Sequence, residues 1–285
     1  MSRRGRLVSL SVFILAWSCA RSASAQQRPL ITEDPESIGA GRVLIEAGLD
    51  YGHDVEYTVS GLSGNLTRIP ALGISVGVSS IAEVQIDGGF YNHLAITSTK
   101  PAPLSSLLTV TGDSTHDVSD FVIGMKIRVA AEGESRPAFG VRFATKLPNA
   151  RNETGLGLDT TDFYASLLVA KTMRSVRLAG NIGSGILGDP TNGQRQNDVL
   201  TYGVSLARAV TEAAEIVGEV NGRANLRSDG PLPGSESRGL LRFGARFTRG
   251  PVRWDAAVVF GLTEIDPSIG FTGGITYVFN AFTVP

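Results

Sequence analysis

"IGFTGGITYVF", at residues 269–279, alternates between large apolar residues and small ones. In a β-strand, where successive side chains point to opposite faces, one face would carry Ile269, Phe271, Ile275, Tyr277 and Phe279. The other face would carry glycine and threonine, at positions 270, 272, 274 and 276. A strand of this kind, with aromatic residues near both ends, is typical of a membrane β-barrel wall that faces lipid outside and water inside.

The same alternation recurs along the chain and predicts twelve strands. They span approximately residues 42–57, 64–78, 82–96, 117–129, 137–147, 160–172, 175–187, 198–209, 212–226, 237–248, 252–261 and 269–279. Most reach the roughly 9–11 residues that a tilted transmembrane strand needs. Strands of a secreted soluble β-sandwich, the main alternative fold, are usually only about five or six residues long.

The connections between these segments alternate in length from the second strand onward. Short connections fall at residues 79–81, 130–136, 173–174, 210–211 and 249–251. Longer polar connections fall at residues 97–116, 148–159, 188–197, 227–236 and 262–268. Outer-membrane barrels have short periplasmic turns and longer extracellular loops. We therefore predict an all-β fold, a twelve-stranded antiparallel transmembrane outer-membrane β-barrel with both ends in the periplasm.

The first 25 residues have the composition of a secretion signal. Three arginines precede an apolar stretch at residues 7–20, and Ala23-Ser24-Ala25 offers a small-residue cleavage site. Cleavage after Ala25 fits better than a lipoprotein site at Cys19 or a twin-arginine signal. The predicted divisions are a signal peptide (residues 1–25), a periplasmic leader or plug segment (26–41), the barrel (42–279) and a tail (280–285).

Composition excludes several classes of function. The only cysteine, Cys19, lies in the predicted signal peptide, so the mature chain has no disulfide framework and no thiol chemistry. Net charge is −1 and no basic cluster is present, which argues against nucleic acid as a partner. The 34 glycines recur inside apolar segments, where each would weaken a helix by about 1 kcal/mol.

Charged residues alternate with apolar ones along the strands and share one face. Because Arg or Lys on the lipid face costs about 2–4 kcal/mol, that face is predicted to line the lumen. The candidate lumen and selectivity residues are Lys126, Arg128, Arg142, Lys146, Arg177, Glu215, Glu219, Arg223, Arg242, Arg246, Arg253 and Asp255. They either brace the wall as ion pairs or leave positive charge that favours anions.

Facing residues of an antiparallel pair have numbers with a constant sum, which allows specific pairs to be predicted. The ninth and tenth strands would pair Glu215 with Arg246, and Glu219 with Arg242. The third and fourth would pair Glu83 with Arg128, and Gln85 with Lys126. The closing strand would pair with residues 42–57 and place its small residues Gly270, Thr272, Gly274 and Thr276 opposite Glu46 and Asp50.

The acidic run Thr32-Glu-Asp-Pro-Glu36 precedes the first strand. Two interpretations of this run remain open. It is either a solvated periplasmic leader or a plug that folds into the lumen against the basic walls.

Several segments resemble a bacterial family described as outer-membrane proteins of the meta-pathway of phenol degradation. They are RPLITEDPESIGAGR (28–42) with VLIEAGLDY (43–51), GMKIR (124–128), FATKLPN (143–149), GLGLDTTD (155–162) and the NIG…LGDP pattern at 181–190. The resemblance implies a single outer-membrane barrel that passes small compounds, aromatic ones among them. It brings no catalytic residues.

The expected function is passive passage of small solutes, aromatic or anionic, with residues 97–116 as the gate or constriction. The expected partners are outer-membrane lipid and lipopolysaccharide, the barrel-assembly machinery and the solute. One alternative is a lipid-modifying enzyme, since His53, His93 and His116 fall near the outer rim with Ser98, Ser114 and Asp54. They form neither a local catalytic motif nor a metal-ligand spacing, so no catalytic residue, metal or cofactor is predicted. The other alternative is a closed structural or interaction barrel.

Overall fold

The computed structural model describes residues 28–283, so the predicted signal peptide lies outside the described residues. This part of the chain is built from fourteen β-segments. They are β1 (Arg42–Tyr57), β2 (Leu62–Gly77), β3 (Ala82–Gly89), β4 (Asn92–Thr99), β5 (Ser114–Asp117), β6 (Val122–Ala130), β7 (Ala138–Lys146), β8 (Asp162–Met173), β9 (Val176–Gly188), β10 (Gln196–Ala209), β11 (Ala214–Asn225), β12 (Arg238–Arg249), β13 (Val252–Gly261) and β14 (Ile269–Asn280). Within residues 28–283, no helix is long and apolar enough to cross a membrane.

The sheet closes on itself. Consecutive barrel strands pair antiparallel, and β1 pairs with both β2 and β14. Each of the pairs β3–β4 and β5–β6 forms one interrupted barrel strand, so the fourteen segments make twelve strands. In the closing pair, Glu46 lies opposite Thr276 and Asp50 opposite Thr272, as predicted. The twelve-stranded antiparallel barrel predicted from the alternation is confirmed.

The two interruptions lie at one level of the wall. Along residues 64–77 of β2, the segments β3 and β4 keep one register and are interrupted where they face Ile69 and Pro70. A separate register shift lies between Ser63 and Gly64. Pro70 has no backbone N–H and cannot complete the ladder there. The break between β5 and β6, at residues 118–121, faces the break between β3 and β4. The predicted strands 82–96 and 117–129 therefore exist, but each is split.

The predicted ion-pair registers are confirmed on one side of the barrel and wrong on the other. Glu215 faces Arg246 and Glu219 faces Arg242, as predicted. Glu83, however, faces Lys126 rather than Arg128. Gln85 faces Gly124 rather than Lys126. A shift of two residues leaves every side chain on the same face, so alternation alone cannot distinguish the two registers.

The outward face is apolar and carries aromatic rings at two levels. Near the periplasmic end, Phe247 and Trp254 lie 6.0 Å apart between ring centroids. Near the outer end, Phe90 and Phe121 lie 5.9 Å apart. Such rings mark the two membrane–water interfaces of a barrel. The charged side chains point the other way, into the interior where the candidate site lies.

Candidate functional site

The segment that precedes β1 lies inside the barrel, and we call residues 28–39 the leader segment. It begins at Arg28, whose guanidinium lies 3.6 Å from Asp50 and 3.6 Å from Asp255. Arg28 also donates hydrogen bonds to Thr272 Oγ1 (2.9 Å) and to the carbonyl of Gly273 (3.1 Å). The start of the leader segment is thus fixed to β1, β13 and β14.

From Arg28 the leader segment crosses the lumen. The backbone N–H groups of Ile31 and Thr32 both donate to the carboxylate of Glu219 on β11, that of Ile31 at 2.8 Å. Beyond them, Glu33 meets the opposite wall, where its carboxylate lies 3.4 Å from Lys126 Nζ and 3.0 Å from Arg142 Nε. The chain therefore spans from β11 to β6 and β7 within three residues.

The rest of the leader segment fills the periplasmic half of the lumen. Asp34 accepts two hydrogen bonds from the guanidinium of Arg177 on β9. Glu36 pairs with Arg128 on β6. The N–H of Ile38 donates to Glu83 Oε2 at 2.7 Å. Pro35, between these contacts, is less than 2 % exposed.

Four of the predicted lumen cations therefore have carboxylate partners on the leader segment. These are Lys126, Arg128, Arg142 and Arg177. Removing an ion from water costs several kcal/mol, which an attractive partner offsets only with good geometry and further hydrogen bonds. Lys126 is 1 % exposed and satisfies this condition with Glu83 at 3.0 Å in addition to Glu33. The acidic leader segment and the basic wall are thus electrostatically complementary.

On the other wall, the predicted ion pairs contact the first part of the leader segment, residues 28–32. Arg242 donates to Glu219 Oε1 at 2.8 Å, and Glu219 in turn accepts from the leader backbone. Arg246 donates to the carbonyl of Arg28 at 2.8 Å and lies 3.9 Å from Glu215. These cross-strand pairs brace the wall and also bind the leader segment.

The remaining predicted residues lie away from the leader segment. Lys146 lies between Asp120 (3.1 Å) and Asp162 (3.0 Å) near the outer end. Arg223 donates to the carbonyls of Glu236 and Gly234 and so holds the loop after β11. Arg253 donates to Thr248 Oγ1 at the periplasmic end. Their part in solute selectivity stays a prediction.

The outer half of the lumen holds a cavity of about 610 Å³, which we call the outer chamber. Leu30 and Ile31 of the leader segment line it on one side, and Ala150 and Leu156 of the loop after β7 line it on another. Two tyrosines, Tyr57 and Tyr164, also line the chamber.

Carboxylates outnumber cations in the lining of the outer chamber. Five are present (Glu33, Glu46, Asp50, Asp87 and Asp120) against three arginines (Arg28, Arg68 and Arg142), a formal charge of −2 with all eight ionised. Arg68 contacts Asp50 at 3.7 Å, and Asp87 contacts Arg142 at 3.5 Å. The chamber is therefore polar in part, but it has no excess of positive charge.

Extracellular loops cover the outer end of the chamber. Ser60, in the turn after β1, donates to the carbonyl of Gly155 at 2.9 Å. In the loop predicted as the gate, the N–H of Leu104 donates to Val59 and that of Thr109 to Glu153. Because β4 extends to Thr99 and β5 begins at Ser114, that loop comprises residues 100–113. Its role as a gate stays a prediction.

At the periplasmic edge, Glu132 links the leader segment to the turns between strands. Glu132 lies 2.9 Å from Arg177, the partner of Asp34, and 3.1 Å from Lys171. Burial alone would raise the pKa of Glu132, but hydrogen bonds from Thr172, Lys171 and Arg177 lower it to about 2. The carboxylate is therefore charged at neutral pH and holds Arg177 in place.

The rim residues considered for catalysis do not assemble a nucleophile and its base. His53 contacts Asn65 Oδ1 through Nδ1 (2.6 Å) and Asp54 through Nε2 (3.2 Å). His93 and His116 lie on the separate hairpin β4–β5. A serine nucleophile would need its hydroxyl beside a histidine ring.

Sequence reasoning missed the residues that shape the chamber. Arg28 stood only in the quoted family segment, although it is a positive charge four residues before the acidic run. Arg68 and Tyr164 fall on predicted strands, but their alternation alone does not show which part of the lumen is empty. That depends on where the leader segment runs.

No protein-family profile matches this sequence, and no curated protein matches it. The fold, however, is similar to solved outer-membrane barrels. The COG4313 outer membrane channel from Pseudomonas putida F1 superposes with a TM-score of 0.60 at 13 % identity, covering 86 % of this chain and 98 % of that one. The NanC porin superposes with a TM-score of 0.51 at 7 % identity, covering 82 % and 98 %. The chain thus has the fold of bacterial outer-membrane β-barrel channels.

Proposed function

We propose that this protein is an outer-membrane channel for the passive passage of small solutes, and that aromatic compounds are its solute class. The observation that carries the proposal is the outer chamber, a cavity inside a closed barrel whose solved neighbours are channels. The resemblance of residues 28–51 to the phenol-degradation family supports membership of that family and the same solute class. The protein would be exported with its signal peptide and assembled by the barrel-assembly machinery, in contact with lipid and lipopolysaccharide.

The lining of the chamber favours aromatic solutes over anionic ones. Leu30, Ile31 and Leu156 offer apolar contacts, and the rings of Tyr57 and Tyr164 offer stacking surfaces. An anion would meet a lining in which carboxyl groups outnumber arginines, five to three. Four of the cations predicted to attract anions are instead paired with Glu33, Asp34 and Glu36; they are Lys126, Arg128, Arg142 and Arg177.

Planar-bilayer recording of the full mature chain tests the channel. We expect discrete conductance steps, and we expect phenol to reduce the ion current at lower concentration than benzoate does. The two compounds share a ring, but only benzoate carries a negative charge near neutral pH. A complete lack of steps at either polarity would overturn the channel, whereas stronger block by benzoate would overturn the solute class.

Two neighbouring residues on β8 provide matched variants. Tyr164 lines the chamber, whereas Phe163 points outward and is 53 % exposed. Tyr164→Leu should weaken block by phenol severalfold, and Phe163→Leu should leave it unchanged. Equal effects of the two substitutions would place the blocking site outside the chamber.

A further inference from the structure

The hairpin β4–β5, at the outer end of the barrel, brings two histidines face to face. His93 on β4 is the direct cross-strand partner of His116 on β5. The two residues are separated by 22 intervening positions that include the loop 100–113, so only the strand register brings them together. His53, the third histidine of the chain, lies on β1.

The ladder pattern shows which kind of pair they form. The N–H of Ile96 donates to the carbonyl of Asp113 at 2.8 Å, which makes these two residues a hydrogen-bonded pair. Hydrogen-bonded and non-hydrogen-bonded pairs alternate along an antiparallel ladder. Three positions along β4, His93 and His116 form a non-hydrogen-bonded pair, the kind in which Cα atoms are only about 4.5 Å apart and side chains are closest.

Both histidine side chains point away from the barrel interior. Their strand neighbours Leu94 and Thr115 are buried, at 0 % and 7 % exposure, and point inward. His93 is half-buried and His116 exposed on the opposite face. The Tyr91 ring contacts both imidazoles, with centroids 6.3 Å from His93 and 5.6 Å from His116. The two rings therefore lie at one level, against the same aromatic side chain, just beyond Phe90 of the outer aromatic band.

We propose that His93 and His116 form a binding site for a divalent transition-metal ion of the Cu²⁺, Ni²⁺ or Zn²⁺ class. Imidazole nitrogen is a preferred ligand for these ions, and the strand pair presents two of them on rigid backbone at close range. Among residues 28–283, no group of three or more His, Cys, Asp or Glu side chains could hold a metal ion. Water completes the coordination, so the ion exchanges with the medium and reaches the site from outside.

A bound ion would tie β4 to β5. These two segments carry the loop 100–113, which contacts Val59 and Glu153 in the neighbouring extracellular loops. The ion therefore stabilises the base of that loop, and neither histidine lines the chamber. The site does not depend on solute passage and exists whether or not the barrel conducts.

Titration of the untagged mature protein with Cu²⁺ alone, followed by electron paramagnetic resonance, tests the site. Wild type should bind one equivalent with a spectrum showing nitrogen ligands. His93→Gln and His116→Gln should each weaken binding at least about tenfold. His53→Gln is the matched control on the same rim and should bind as wild type does. Retained affinity in both hairpin variants, or loss of affinity in His53→Gln, would overturn the proposal.

A measurement on wild type alone guards against misfolded variants. Zn²⁺ should protect His93 and His116, but not His53, from modification by diethylpyrocarbonate, as read by mass spectrometry of each peptide. Equal modification of His93 and His116 with and without Zn²⁺ would also overturn the site. The folded state of each variant is checked by its heat-modifiable mobility on a gel.

Discussion

The two halves of the barrel interior are built from the same strands but differ in what fills them. In the periplasmic half, the leader segment occupies the lumen, and its carboxylates pair with wall cations such as Lys126, which is 1 % exposed. In the outer half, a cavity of about 610 Å³ remains, and its carboxylate Asp87 is 45 % exposed. Because of the alternation, the wall is charged in both halves of the lumen. The leader segment, only twelve residues long (28–39), determines which half is filled.

The comparison also shows where burial makes charge costly. Where a charged wall faces water, removing one partner of an ion pair lowers the stability of the protein little, because solvent screens the remaining group. Where the leader segment covers the wall, the same removal lowers the free energy of unfolding by several kcal/mol, because the remaining ion stays buried. The periplasmic half should therefore respond strongly to changes in the leader segment, and the outer half weakly.

Deletion of residues 28–38, with the signal peptide kept, should have the largest effect. It removes the filling of the periplasmic half and should raise single-channel conductance severalfold in planar bilayers. The control is the triple variant Glu33→Gln, Asp34→Asn, Glu36→Gln, which keeps the leader segment but removes the charge of these three side chains. The conductance of this variant should lie between those of wild type and the deletion variant. Unchanged conductance in the deletion variant would show that the leader segment does not restrict the path.

Lys126→Met should lower the free energy of unfolding by about 3–5 kcal/mol, because Glu83 and Glu33 remain buried without this partner. Lys100→Met is the matched control at the outer end. Its partner Glu56 lies 3.3 Å away, but Lys100 is 62 % exposed, so the cost should be about 0–1 kcal/mol. Urea unfolding in lipid vesicles, followed by tryptophan fluorescence, measures both. Equal losses would contradict the contrast between the halves.

Gly48→Ala should loosen the anchor of the leader segment. A Cβ at Gly48 would lie 2.2 Å from Arg28 Nη2 and 2.7 Å from the carbonyl of Gly273, so Arg28 must move. We expect a loss of about 1–3 kcal/mol in unfolding free energy and a partial rise in conductance. Gly180→Ala, where the nearest atom is 3.5 Å from the added Cβ, should change neither quantity appreciably.

Acid should weaken the periplasmic edge through Glu132. Its folded-state pKa of about 2 lies below its usual value of 4.5, so its contribution to stability is complete above pH 4.5 and is lost as pH falls toward 2. Glu132→Gln should cost about 1 kcal/mol at pH 7, since the group lies at the water interface. The difference from wild type should shrink between pH 4.5 and pH 3 in urea unfolding curves. A difference that is constant over this range would contradict the assignment.

Much of the wall could be predicted from the residues, and the failures have a physical cause. The 42–57 and 252–261 strands match β1 and β13 at both ends, because their alternation is long and bounded by turn residues. The pairing of Glu83 with Arg128 failed because a shift of two residues preserves the faces. The split at residues 90–91 was missed because its cause, Pro70, lies on the neighbouring strand.

The closed barrel, the face that meets lipid and the charged residues that point inward could all be predicted from the residues alone, because they follow from period-two alternation and the cost of charge in lipid. The positions of Glu33, Asp34 and Glu36 inside the barrel depend on the folded chain, where they pair with Lys126, Arg128 and Arg177. An acidic run that faces water and an acidic run that faces buried cations have the same sequence pattern. The difference arises only when the closed wall brings distant cations around one segment and excludes the water that would otherwise solvate it.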